Sequence, residues 1–234
     1  MMDAQGIQYI ITAFAAFLAA FFGALALHRL FQGDVISDTF TDAHHEIYMM
    51  IIFGFFLIAI GEITWVLIYQ QANMEVLSSA MPDFYWVLGY GIVFIGTWYA
   101  AYRTVSDSNK NMFKPLIILL PFLSGAVIYF GLPLLGIGVE NTGQAMLLRF
   151  YPSLSFVTLL MSAVLYYFAN DEYYALLRPL LFISVAFLIG DILFAIKGLE
   201  YGLVSIMADV AYIGGYLCVA YMFYHKHAAI NSKN

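Results

Sequence analysis

Seven apolar stretches of about 20 residues or more run along this chain, each long enough as a helix, at 1.5 Å per residue, to cross a hydrocarbon core of about 30 Å. They cover residues 8–30, 47–70, 82–103, 113–137, 149–169, 177–198 and 202–224, segments A to G below. Backbone N–H and C=O groups in hydrocarbon have no water to bond, so each stretch must satisfy them within itself as a helix. Of the 234 residues, 63% are hydrophobic and 10% charged, against about 25% charged in soluble domains. The expected fold class is all-α, a single polytopic seven-helix membrane domain over 1–234. Pro82 and Pro179 fall in first turns, where a missing N–H is harmless. Pro121 and Pro133 are expected to kink D, and Pro152 the early part of E.

Charge sets the orientation. The A–B, C–D and E–F connections and the C-terminus hold Arg29, Arg103, Lys110, Lys114, Arg178, Lys226 and Lys233, whereas the opposite side holds Arg149 and Lys197. Positive charge stays on the cytoplasmic side, so the N-terminus is expected outside and the C-terminus inside. The N-terminus has no basic flank or small-residue cleavage site, so A reads as a retained helix. The net charge of -6 excludes a nucleic-acid partner by composition; the expected surroundings are a lipid bilayer.

Four acids interrupt the apolar segments, and they come in two matched pairs. Gly61-Glu62-Ile63-Thr64-Trp65 in B is echoed by Gly190-Asp191-Ile192-Leu193-Phe194 in F, 129 residues on. Asp83-x-x-Trp86-Val87-x-Gly89-Tyr90 in C is echoed by Asp209-x-x-Tyr212-Ile213-x-Gly215-Tyr216 in G, 126 residues on. The segments A-B-C thus correspond to E-F-G, with D as a linker helix. The two triplets would enter the membrane in the same direction, related by a pseudo-two-fold along the membrane normal. An intramembrane carboxylate costs about 2.5–3.5 kcal/mol on insertion scales, and it marks a functional site by default. Helical periodicity puts Asp83, Trp86 and Tyr90 on one stripe, and Asp209, Tyr212 and Tyr216 on another.

The expected site is therefore an acidic, aromatic-walled pocket in the outer half of the bundle. Its residues are Glu62, Trp65, Asp83, Trp86, Tyr90, Arg149, Asp191, Phe194, Asp209, Tyr212 and Tyr216, with Arg149 and Lys197 as the outer-side cations. Structural roles compete: Asp83 behind Pro82 suits a helix start, and the glycines suit close helix packing. All five histidines (His28, His44, His45, His225 and His227) fall on the inner side, near Asp34, Asp38, Asp42 and Glu46. Their spacing matches no known ligand pattern, and the dipoles of the helix ends account for them without a metal.

Three resemblances follow from these motifs. Size, orientation and the three-plus-one-plus-three plan resemble microbial rhodopsins, and Asp209-Val210-Ala211-Tyr212-Ile213-Gly214 looks like the aspartate-bearing stretch of their last helix. The family's retinal lysine would fall at Ile213, and Lys197 lies at the end of F. No mid-helix lysine stands in G, so the resemblance implies no retinal and no cofactor is expected. Gly-Glu-Ile-x-Trp followed by Pro-Asp-x-x-Trp-x-x-Gly-Tyr is similar to uncharacterised prokaryotic seven-helix proteins that precede cyclase and kinase domains. That resemblance implies a sensor in a prokaryotic cell membrane, which here would signal through a partner protein, since the chain ends about ten residues after G. Ile189 to Gly198 resembles the lysoplasmalogenase family, which implies Glu62 and Asp191 as a catalytic acid–base pair. This chain has Gly190 and Gly215-Tyr216 where that family usually has Ser and Ala-Gln.

No P-loop, dinucleotide fingerprint or zinc-protease motif is present. Three functions remain open. The leading one is a ligand-binding or sensor protein that holds an amphipathic or cationic molecule against aromatic faces. The alternatives are a proton- or cation-coupled transporter or channel, and an intramembrane vinyl-ether hydrolase using Glu62 and Asp191. The apolar inner halves of B and C, Met49 to Ile60 and Gly91 to Gly96, speak against a transport path there.

Overall fold

The computed structural model describes residues 4–32, 43–71, 80–108, 111–139, 142–169, 177–197 and 202–231. Seven α-helices occupy them: α1 (Ala4–Gln32), α2 (Ala43–Gln71), α3 (Ala80–Asp107), α4 (Lys114–Gly131), α5 (Gly143–Phe168), α6 (Leu180–Lys197) and α7 (Leu203–Asn231). No strand occurs among the described residues. Among the described residues six helices are long and apolar enough to cross a membrane, and the shorter apolar Leu180–Ile196 lies in α6. The protein is an all-helical integral membrane protein. Segments A to G each become one helix, with differences at the ends that have local causes. Expected to run to 137, α4 stops at Gly131 and gives way to a 3-10 turn at Leu132–Leu135 that contains Pro133. The chain then turns through Gly136 and Gly138, at φ 82° and 60°. At Gly138 a Cβ would come within 2.7 Å of the Ala145 carbonyl oxygen, so both backbone conformation and space demand glycine. Thr142 then caps α5, its hydroxyl accepting from Ala145 N at 3.2 Å.

The chain divides into two compact units, Met1–Val93 with Tyr216–Asn234, and Phe94–Gly215. In the first unit, α1 turns its small residues inward. Thr12, Ala13, Ala16, Ala19, Ala20 and Ala26 are buried, while Phe14, Phe17 and Phe21 are exposed. Lipid is as apolar as phenylalanine, so the sorting follows closeness of approach rather than hydrophobicity. Gly23 of α1 lies against Ile52 of α2 and Phe223 of α7, where a Cβ would have 3.1–3.2 Å. Helices α2 and α3 also approach closely: a Cβ at Gly54 would sit 2.8 Å from Gly89 O, and one at Gly89 would sit 2.7 Å from Gly54 O. At another place in this unit, Lys226 is 3% exposed with its Nζ 4.1 Å from the Tyr48 ring centroid. The aliphatic stem lets such a charge lie over an aromatic face.

In the second unit α5 and α6 pack along each other through buried hydroxyls as well as apolar side chains. Ser162 and Ser184 face each other at 3.1 Å, amid buried Met161, Leu165, Leu180 and Ile183. A different device supports α4. Pro121 has no N–H to give Ile117 O, four residues back. Trp98 of α3 supplies the missing donor, with Nε1 at 2.9 Å from Ile117 O. Trp98→Phe is therefore expected to lower unfolding free energy in bicelles by about 1–2 kcal/mol, the cost of an orphaned buried carbonyl. In a Pro121→Ala background, where residue 121 regains its N–H, the same substitution is expected to cost less. Equal costs in both backgrounds would refute this role for the indole.

Candidate functional site: two intramembrane carboxyls

In the first unit, Gly61 and Glu62 lie in the second half of α2. Without a side chain at 61, the Trp86 indole of α3 comes close to the backbone; a Cβ there would be 2.6 Å from Trp86 Cδ1 and Nε1. Trp86 in turn meets Trp65 at 6.0 Å between ring centroids, and the edge of Tyr9 from α1 meets Trp65 at 5.7 Å. Glu62 shares a face with Trp65, three residues on. Its carboxylate is half-buried and accepts from the Tyr216 hydroxyl at 2.7 Å. Trp86 Nε1 is buried and has no hydrogen-bond partner among the described residues. An acceptor, aromatic faces and an unused donor thus stand within one turn of α2.

In the second unit, Gly190 and Asp191 repeat the motif on α6. The Tyr212 ring of α7 lies on Gly190, whose Cβ would be 2.7 Å from Cε1. Its hydroxyl donates to Asp191 Oδ1 at 2.7 Å, and Ser155 of α5 donates to Oδ2 at 2.5 Å. Asp191 is only 4% exposed. No cation pairs with it among the described residues: Arg149 gives its Nε to Ala145 O and lays its guanidinium over Tyr129, 4.9 Å from the centroid. Arg149 is thus engaged between α5 and α4, in the second turn of its own helix.

The glycines beside the two carboxyls each lie close to a neighbouring side chain. Gly61 against Trp86 has its counterpart in Gly190 against Tyr212. Gly89 against Ile58, with a Cβ at 2.7 Å, has its counterpart in Gly215 against Phe187, with a Cβ at 2.9 Å. The chain matches no family model, no curated protein and no solved structure. Any functional reading therefore rests on this geometry.

The remaining expected residues are distributed as follows. Asp83 is half-buried in the first turn of α3, where the helix dipole favours an acid. Tyr90, Asp209 and Phe194 are half-buried on α3, α7 and α6. His225 packs its ring on Tyr221 at 4.4 Å; His28 is exposed and His45 half-buried. The side chains of His44, His227 and Lys197 lie outside the described residues, as do Asp34, Asp38 and Asp42. Among the described residues no group of three or more His, Cys, Asp or Glu side chains could hold a metal ion. Sequence reasoning missed Ser155 and Tyr9. A signal for the serine was present: Ser155 and Ser162 are seven residues apart, as are Ser184 and Asp191, so each pair occupies one helical face.

Proposed function

We propose that this chain is a sensor-type membrane protein that binds a small cationic or amphipathic ligand at Glu62. One observation carries the reading: a half-buried carboxylate within a membrane-spanning helix shares a turn with the Trp65–Trp86 pair, beside an indole N–H that has no partner among the described residues. Indole faces attract organic cations, by about 0.5–2 kcal/mol depending on desolvation, and the carboxylate adds a directed charge. A ligand combining an amine or quaternary ammonium with an acceptor oxygen would engage Glu62, the ring faces and Trp86 Nε1 together.

The same proposal includes two three-helix repeats, α1–α3 and α5–α7, with α4 as linker. The matched glycine contacts support it, since duplicated helix pairs would keep their points of closest approach. Orientation with the N-terminus outside and the C-terminus cytoplasmic is supported by the distribution of Lys and Arg, and it puts Glu62 in the outer half. The resemblance to prokaryotic seven-helix sensor modules fits a signal passed to a partner protein.

Mass spectrometry tests the reading on purified protein incubated with a total lipid extract and then re-purified. A cationic or zwitterionic amphiphile is expected to remain with the wild type and to be depleted about tenfold in Glu62→Gln, the equivalent of 1.4 kcal/mol. Equal retention by both proteins would reject Glu62 as the binding group. A lipid cleaved by the wild type and not by Glu62→Gln or Asp191→Asn would replace this reading with the hydrolase.

A further inference from the structure

Beyond ligand binding at Glu62, we infer that the Asp191 carboxyl in the second unit is a proton-exchange site. Helix adhesion alone does not call for a carboxyl here. Two turns further along the same pair of helices, Ser162 and Ser184 join α5 to α6 with hydroxyls at 3.1 Å and no ionisable group. An asparagine at 191 could likewise bond both Ser155 and Tyr212 without bringing a charge into the membrane. What the carboxyl adds is the capacity to gain and lose a proton, in surroundings that contain no compensating cation among the described residues.

The geometry suits a proton. Oδ2 lies 2.5 Å from Ser155 Oγ and Oδ1 lies 2.7 Å from Tyr212 OH, separations that hold a hydrogen between two oxygens and leave no room for a metal ion between them. In the ionised state both hydroxyls donate to the carboxylate, one to each oxygen. In the acid state the carboxyl O–H donates to one of these hydroxyls, which turns to accept. On release the O–H bond breaks, its electron pair stays on the carboxylate, and the proton passes to water. The groups facing the carboxyl are Ser155 from α5 and Tyr212 from α7, and of these Tyr212 alone is titratable. Tyr212 also fills the space over Gly190, so the ring that carries this hydroxyl is packed between α6 and α7.

Infrared difference spectra between acid and alkaline buffers, on the full chain reconstituted in liposomes with isotope-labelled aspartate, test this directly. A protonated-carboxyl C=O band is expected to come and go with pH and to be lost in Asp191→Asn. It is expected to shift in frequency in Tyr212→Phe and in Ser155→Ala, each of which removes one hydrogen bond while keeping the carboxyl. Aspartate labelling separates this band from Glu62, so its outcome is independent of ligand binding there. A band unchanged in frequency in both hydroxyl variants would overturn the assignment to this site. So would a carboxyl signal that stays constant over every pH at which the protein keeps its helical circular dichroism. A band that follows sodium concentration at fixed pH would overturn the choice of proton.

Discussion

Gly89→Ala should destabilise the protein by about 3 kcal/mol, at the upper end of ordinary overpacking, and Gly54→Leu should prevent the first unit from folding. A side chain added at either position meets backbone as well as the side chains of Val93 or Ile58, and the backbone cannot swing aside. The new Cβ at 89 would lie 2.7 Å from Gly54 O, and the one at 54 would lie 2.8 Å from Gly89 O. The helices can relieve that only by separating. Separation would loosen the Trp86–Gly61 contact on the same pair of helices. In a bilayer, helix association rests on close van der Waals approach, so the lost contacts are not regained by burying apolar surface elsewhere. Gly91, on α3, provides the control, since nothing stands within 4 Å of a Cβ there. Gly91→Ala is expected to be neutral or to stabilise by up to about 1 kcal/mol, the gain from replacing glycine in a helix. Unfolding free energies in bicelles, read by tryptophan fluorescence, would discriminate. Similar values for Gly89→Ala and Gly91→Ala would mean that the α2–α3 crossing is not a tight contact.

The helices were legible because hydrocarbon leaves the backbone one choice, and hydropathy reports that choice directly. Their ends were less so. Residues 132–137 are as apolar as a membrane helix, yet Pro133 and the left-handed Gly136 and Gly138 turn the chain there. Of the site, the carboxyls and their glycine neighbours could be read because an aromatic ring can cross a helix only where a small residue admits it. Tyr212 and Tyr216 were visible by spacing, but which carboxyl each would bond was not, because a four-residue step on a helix fixes a face and leaves the partner open. Ser155 looked like one hydroxyl in an apolar segment; its role depends on the register between α5 and α6, which is set by packing. Lys226 could be counted as a terminal charge, but a flexible stem allows either solvation or burial. Here burial over Tyr48 won.

Gly190→Ala is expected to cost about 2–3 kcal/mol, more than Gly61→Ala, although the two glycines face their aromatic partners almost identically. A Cβ at 190 would come within 2.7–2.9 Å of three Tyr212 ring atoms, and one at 61 within 2.6 Å of Trp86 Cδ1 and Nε1. In both cases a ring can swing aside, so steric cost alone would make the variants similar. The difference lies in what each ring holds. Trp86 Nε1 has no partner to lose among the described residues, whereas moving Tyr212 breaks its 2.7 Å bond to Asp191. The buried carboxyl would then keep Ser155 as its one hydrogen-bond partner among the described residues, and leaving a buried polar group short of a partner costs about 1–3 kcal/mol. A double-mutant cycle isolates that part of the loss. Tyr212→Phe and Gly190→Ala remove the same hydrogen bond, so their combined cost should fall well short of the sum. Additive costs would show that Gly190 is needed for helix approach alone, and that Tyr212 reaches Asp191 whatever stands beneath its ring.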